Sequence, residues 1–450
     1  MSEGQTSEFT FKGVTILTYE QSLEYLASLG KFGMNFGLAR IEKLLAIMQH
    51  PERRYKIVHI TGTNGKGSTT SMLTAILKAA GIKTAMYTSP HLTDYTERMV
   101  VNSQPISHEA FGEVVRYTSD FVAQMVGEGW EHPTEFEVLT AAAFYYFAIA
   151  GVEYAIIEAG LGGLLDSTNV VQPEVAVITN VTLEHTDRCG GTVGEIAYHK
   201  AGIIKPGAPI VTAALGEALE VIRAKAEEKK SRLYVAGQNF AGEFSGIEGK
   251  RQVVTVTVNG HKLRPFAMNL LGHHQVENAA LAVMAALILA ENEARITSEA
   301  IDLGLKTAYW PGRFEFVDGE PPIVIDGAHN PAGAKALRST LDEFFPGQKV
   351  TFVLGILADK DVASICDAMV RPRDQVITVE PLSDRAADPK AVAEKVTSSH
   401  VEVGATIADG IRRAITLAGS RGLICIAGSL YLVGTARQFI YSRQNYSVEI

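Results

Sequence analysis

The sequence predicts an α/β protein built in two runs. The first holds a mainly parallel sheet and closes with a small antiparallel excursion; the second is a further α/β unit after about residue 310. Three observations carry this. Short β-branched segments alternate with stretches long enough to be crossover helices, the pattern of a parallel sheet. Those segments are apolar almost throughout, as strands covered on both faces must be. A Trp-Pro-Gly break at 310–312, unfavourable to helix and strand alike, separates two such runs.

In order, "KIVHI" (56–60), "TAMYT" (84–88), "YAIIEAG" (154–160) and "EVAVITNV" (174–181) are expected as strands of the first sheet. Across 231–270 the style changes, and "RQVVTVTVNGHKLRPF" alternates Val and Thr around an Asn-Gly turn, predicting a small antiparallel hairpin. After "AYWPGRFEF" (308–316), "PIVID" (322–326), "VTFVLG" (350–355), "QVITVE" (375–380) and "GLICIAG" (422–428) are expected as strands with helices between them. The division is therefore 1–310 and 311–450. The apolar runs 138–150 and 279–290 fall short of the roughly 20 residues that span a bilayer, and are expected as buried helices. No repeat or low-complexity segment stands out.

A chain of 450 residues, 46% hydrophobic, buries a large core in two or three domains. Its net charge of −9 argues against a general affinity for nucleic acid or an anionic membrane. Small-molecule chemistry is the better expectation. The three cysteines, Cys189, Cys366 and Cys425, lie far apart and form no CxxC pair, so neither a disulfide framework nor a structural zinc site is indicated, and a reducing cytosol fits. The first residues, "MSEGQTSEFTFKG", lack a basic segment followed by an apolar run and read as mature sequence, so a cytoplasmic protein is expected.

"HITGTNGKGSTT" (59–70) departs from the usual phosphate-loop pattern G-x-x-x-x-G-K-[ST]: Ile60 stands at the first glycine, and Gly67 follows Lys66. Its context is nevertheless that of an anion site. A strand runs into three glycines and then into the helical "STTSMLTAILKAAG", so unpaired N–H groups and the positive helix end converge. Lys66 would meet a β- or γ-phosphate, and the hydroxyl of Ser68 or Thr69 a magnesium ion. The same pattern also serves a plain βα turn with a surface lysine.

"EAGLGGLLDSTN" (158–169) puts Glu158 at a strand's carboxyl end, and "NVTLEHTD" (180–187) sets His185 beyond another. Ligands of open α/β sheets bind at that edge. Together these two side chains suit a divalent cation, although either alone is ordinarily a solvated loop residue. In "IDGAHNP" (325–331) a strand ends in Asp326 and Pro331 begins a helix; Asp326 suits a ribose hydroxyl or a group near the phosphates, or else caps the helix together with Asn330.

Taken together, "TGTNGKGST", "YTSPHL", "TERM", "EAGLGGLLDSTN", "EHTD…EIAYHKAGIIKPG", "LGHHQVENAALA", "WPGRFE", "DGAHNP", "GILADKD" and "GSLYLVG" resemble, in order from about residue 20 to 440, the bacterial folylpolyglutamate synthase/dihydrofolate synthase family of the Mur ligase superfamily. The short T-G-T-N-G-K-G-S loop is that family's own form. What the resemblance implies is a P-loop-type first domain and a Rossmann-like second one. It also implies ATP-dependent ligation of L-glutamate to folates, and to dihydropteroate, through an acyl phosphate. ATP would be a cosubstrate and Mg²⁺ the cofactor, with folate or dihydropteroate and L-glutamate as the other small-molecule substrates. Apart from the resemblance, a monomer without nucleic-acid or membrane partners is expected.

The resemblance also assigns residues. Thr63, Asn64, Gly65, Lys66, Gly67 and Ser68 would hold the ATP phosphates, with Asn278, Arg313 and Asp326 as further ATP contacts. Metal ligands would be Ser68, Ser89, Glu158 and His185. Lys200 matches the family's carbamylated lysine, and His329 joins Lys66 and Lys200 as a catalytic candidate. Folate contacts map to Thr134, Glu135, Phe136, Glu137, Leu165, Asp166 and Ser167, while 31–41 resembles the loop near the pterin. Two departures touch the folate loop: Leu164 replaces an arginine and Ser167 an alanine, which bears on the choice of pterin. A different Mur-type amide ligase, or a nucleotide-binding switch without turnover, are the rival readings; the retained metal and lysine positions speak against the switch.

Overall fold

The computed structural model describes residues 17–33, 36–184 and 186–442. Its first sheet has eight strands: β1 (Lys56–Thr61), β2 (Thr84–Tyr87), β3 (Met99–Val101), β4 (Gln104–Pro105), β5 (Tyr154–Glu158), β6 (Val175–Ile178), β7 (Ile210–Thr212) and β8 (Leu233–Val235), in the spatial order β4-β3-β2-β5-β1-β6-β7-β8. From β2 to β8 every pairing is parallel, and β3 and β4 add an antiparallel edge. β1, at the centre, is buried from its second residue onward. Burial on both faces explains its unbroken apolar run.

Four expected strands are present, and four more were not read from the sequence. β3, β4, β7 and β8 have two or three residues each, too few to show a period. β8 also corrects the expected extent of the antiparallel excursion, because 233–235 continues the parallel sheet. The excursion itself is more than a hairpin. β9 (Phe240–Glu248) pairs with β10 (Arg251–Val258), and the other edge of β10 meets β11 (His261–Lys262) and β12 (Phe266–Met268). Asn259 and Gly260 between β10 and β11 both take positive φ, as their tight turn requires.

The third sheet runs β13-β14-β18-β15-β16-β17, from β13 (Glu315–Val317), β14 (Ile323–Ile325), β15 (Val350–Leu354), β16 (Gln375–Thr378), β17 (His400–Val403) and β18 (Leu423–Ala427). All its pairings are parallel except β13 with β14. The apolar runs near 138–150 and 279–290 lie in the helices Glu135–Ile149 and His273–Ala290, both largely buried. No helix of the described residues is long and apolar enough to cross a membrane. The helix Lys66–Ala79 packs on the sheet beside the His273–Ala290 helix, with Met72, Leu73, Ile76 and Leu77 in their shared core.

Candidate functional site

β1 delivers the chain to a loop whose amides are left free. Gly65, at φ +84°, caps the Lys66–Ala79 helix with no side chain. The first amide bonded back into the turn is Thr69 N–H, to the Gly65 carbonyl at 2.9 Å. Among the described residues the N–H groups of 65–68 have no protein acceptor, and they sit at the positive end of the helix. This is the chemistry of a phosphate cradle.

The loop is fixed by the segment that follows β6. Thr63 N–H donates to the Asn180 carbonyl at 2.9 Å, Asn64 N–H to Asn180 Oδ1 at 2.9 Å, and Thr179 Oγ1 to the Asn64 carbonyl at 2.6 Å. From the other side, Gln275 Nε2 donates to Ser68 Oγ at 3.1 Å and is joined by Asn278, whose amide group lies against Gly65. Trp310 covers Gly67: a Cβ there would stand 2.5 Å from Cζ2 of the indole. Asn278 is thus buried beside the loop rather than exposed on its helix. Lys66 folds back over the loop, its Nζ donating to the carbonyls of Gly62 at 3.0 Å and Thr63 at 3.1 Å.

Glu158 ends β5 opposite Ile60 of β1. It is 4% exposed, its Oε2 has no hydrogen-bond partner, and it accepts from the Ser89 amide. Burial raises its carboxyl to about 7, against the opposing pull of Lys66 and Arg313. An orphaned carboxylate oxygen on a side chain bonded to the Ser89 amide is the kind of hard oxygen donor a divalent cation takes. The described residues contain no group of three or more His, Cys, Asp or Glu side chains placed to hold a metal, and His185 lies outside them.

Lys200, on the Val193–Ala201 helix, is 5% exposed. Burial, helped by the positive charge of Lys66, lowers its ammonium to about 7. Leu164, at the position of the family arginine, packs against Gly202 just past this helix, and its N–H donates to the His199 carbonyl at 2.7 Å.

The expected folate contacts fall into two stretches that meet at Gly160, which is flanked by the Phe136 ring and the Asp166 carboxylate. Most of these groups already have local partners. Thr134 and Glu137 form a capping box, Glu137 pairs with Arg40 at 3.1 Å, and Glu135 accepts from Tyr95 Oη at 2.8 Å. Asp166 accepts from the amides of Leu161 and Thr168 and from the Thr168 hydroxyl, holding its own loop. Ser167 is buried and Leu165 is exposed. Within 31–41, residues 34 and 35 lie outside the described residues.

In the second half, Asp326 accepts from Phe314 N–H at 2.7 Å and Ala328 N–H at 2.8 Å, so it ties the turn after Trp310 to the end of β14. Asn330, not Asp326, caps the Pro331–Phe344 helix. Arg313 Nη1 donates to the Gly312 carbonyl at 3.0 Å and lies against Gly327; His329 Nδ1 bonds the Gly327 carbonyl at 2.8 Å, and burial lowers its imidazolium. Behind this turn, buried Glu315 accepts from Arg437, Tyr309, Tyr441 and the Gly312 amide. Gln275, Trp310, Asn180 and Glu315 were not singled out from the sequence. Gln275 and Trp310 stand inside the quoted motifs "LGHHQVENAALA" and "WPGRFE", which was the available signal.

The chain is similar to known proteins over most of its length. Residues 60–286 match the family described as Mur ligase middle domain, and 312–430 the Mur ligase, glutamate ligase domain. A dihydrofolate synthase/folylpolyglutamate synthase of Bacillus subtilis is 36% identical over 426 residues, covering 93% of this chain and 98% of that one. A probable bifunctional folylpolyglutamate synthase/dihydropteroate synthase of Halobacterium salinarum is also 36% identical over 426 residues, covering 94% of this chain; the chain spans 51% of that relative's length. Among solved structures, Mycobacterium tuberculosis folylpolyglutamate synthase complexed with ADP superposes with a TM-score of 0.86 at 32% identity, covering 95% of this chain and 100% of that one.

Proposed function

The chain belongs to the Mur ligase family, in its folylpolyglutamate synthase/dihydrofolate synthase branch; we propose that it is an ATP-dependent ligase that joins L-glutamate to folates, and that its residues do so as follows. The free amides of 65–68 bind the ATP phosphates, and Lys66 exchanges its two carbonyl partners for phosphate oxygens. Asn278, Arg313 and Asp326 position the nucleotide from the two flanking stretches. The folate or pteroate lies along 134–137 and 165–167, on either side of Gly160.

A carboxylate is a poor electrophile, so the substrate carboxylate oxygen first attacks the γ-phosphorus and ADP departs. The glutamate amine, having lost its proton, then attacks the acyl carbon; the amide C–N bond forms as the acyl C–O bond breaks and phosphate leaves. Positioning and charge neutralisation are what the protein supplies. Mg²⁺, held by Ser68, Ser89, Glu158 and His185, would neutralise charge on the phosphate oxygens. Lys200 is placed to become a carbamate, because an ammonium lowered to about 7 leaves much of the amine free to take up CO₂ at neutral pH. His329 stays neutral near Arg313 and serves as a polar contact.

Dihydropteroate is proposed as a second acceptor, residues 1–310 and 311–450 as the two working domains, and the enzyme as a cytoplasmic monomer. The observation that supports the reading is the run of unpartnered amides at 65–68, in the loop over which the Lys66 ammonium folds. The test is incubation with ATP, Mg²⁺ and L-glutamate, offering dihydropteroate and a reduced folate separately. Product masses one glutamyl unit heavier are expected in both; ADP release independent of any pterin would overturn the reading.

A further inference from the structure

The central strand β1 carries two polar side chains inside its apolar run. Alternate residues of a strand share a face, so Ile57, His59 and Thr61 stand together on the side turned away from the Lys66–Ala79 helix. Ile57 packs there with Ile157 and with Val138 and Phe144 of the Glu135–Ile149 helix. His59 is fully buried and Thr61 nearly so. An aliphatic side chain would fill either place without a hydrogen bond to satisfy.

Both side chains reach one loop, the segment that follows Glu158. Thr61 Oγ1 donates to the Gly162 carbonyl at 2.5 Å, and Nε2 of His59 meets Oγ1 of Thr168 at 2.8 Å. Thr168 passes the contact on. Its hydroxyl donates to Asp166 Oδ1 at 2.5 Å; the same oxygen takes the Thr168 amide at 3.0 Å, and Oδ2 takes the Leu161 amide at 2.8 Å. With amides on both oxygens, Asp166 is an acceptor, so the Thr168 hydroxyl points its hydrogen at Asp166 and accepts from His59. That fixes the imidazole as the tautomer protonated on Nε2. Burial keeps the ring neutral, lowering its imidazolium to about 3, and Nδ1 has no protein partner among the described residues. A buried ring with one nitrogen unpaired by protein is a poor choice for stability alone. What the ring supplies is a donor to Thr168.

We propose that His59 is a positioning residue for the pterin substrate: through Thr168 it fixes the Asp166 carboxylate, and with it the stretch bearing Leu165 and Ser167, against the strand that leads into the phosphate loop. The inference rests on the reading that the folate lies along 165–167. β1 then serves as a common reference for both reactants, because it runs from Thr61 straight into Gly62 of the glycine loop and grips the other loop from its face. Attack of a carboxylate on a γ-phosphoryl group depends on how closely their separation is held.

Steady-state kinetics with a reduced folate at saturating ATP and L-glutamate, together with calorimetric titration with ADP, tests this in the full chain. His59→Leu removes the donor and Thr168→Val the relay. Each should raise the KM for the folate about threefold to tenfold, the scale of one net hydrogen bond, while the Kd for ADP stays within about twofold. Because the two act in series, the double variant should be no worse than Thr168→Val alone. His59→Gln puts an amide N–H where Nε2 stood and should bring the KM back close to the wild-type value. With normal wild-type turnover, a folate KM unchanged in His59→Leu would overturn the proposal, as would additive losses or a His59→Gln no better than His59→Leu. An ADP Kd weakened as much as the folate KM would mark a merely structural part and overturn it too. A wild type that turns over no pterin would sink the ligase reading itself and this inference with it, so the two failures are told apart by the wild type alone.

Discussion

The indole of Trp310 lies on Gly67, so close that the loop glycine has no room for a methyl group. Gly67→Ala therefore forces either the indole or the loop to move. Overpacking of this kind costs about 1–3 kcal/mol, and the expected result is a lower melting temperature with a raised KM for ATP. Adding Trp310→Leu should restore the melting temperature; a double variant no more stable than the single one would count against the contact.

Lys66 carries one of the free amides, and the partners of its ammonium are two carbonyls of its own loop. Lys66→Ala should lower kcat by at least about 10²–10³-fold, the scale of losing one preorganised donor to a developing anion. A near-normal rate in steady-state assays would remove Lys66 from the phosphate site.

The pH dependence follows from Lys200 and Glu158. The Lys200 ammonium is lowered, so its free amine accumulates as pH rises through about 7; the Glu158 carboxyl is raised, so its carboxylate forms over the same interval. Activity should climb between pH 6 and 8. Bicarbonate separates the two causes, because only the lysine needs CO₂. Depleting it should lower the rate and adding it back should restore it, with a ¹³C carbamate resonance that is absent in Lys200→Ala. A rate indifferent to bicarbonate would leave Glu158 as the group responsible.

Glu315 gathers Arg437, Tyr309, Tyr441 and the Gly312 amide behind the turn that carries Arg313. Glu315→Gln leaves the Arg437 guanidinium, only 16% exposed, without its counter-charge. Stability should fall by about 3–5 kcal/mol, read by urea unfolding, whereas Tyr441→Phe should cost only about 1 kcal/mol. Similar losses for the two variants would show that charge is not what holds this turn.

The strands at the heart of each sheet were legible because burial on both faces writes them as apolar runs; β3, β4, β7 and β8 are too short to do so. The glycine loop between strand and helix was legible from its glycines. Its supports were not, because Asn180, Gln275 and Trp310 reach it from far along the chain and carry no local pattern. "TEFE" shows a different limit. Its T-x-x-E spacing is that of a capping box, which the structure contains, so a ligand role there has to be added to a structural one.

Those distant supports bear on how the protein is made. A nascent chain that has left the ribosome only as far as residue 270 already carries β1, the glycines and Lys66, yet Gln275, Asn278 and Trp310 are still to be synthesised. Domains ordinarily form as translation proceeds, amino end first, but here the loop takes its final shape only once that later sequence has emerged. Unfinished or prematurely terminated chains thus carry the lysine and the glycines without the walls that hold them.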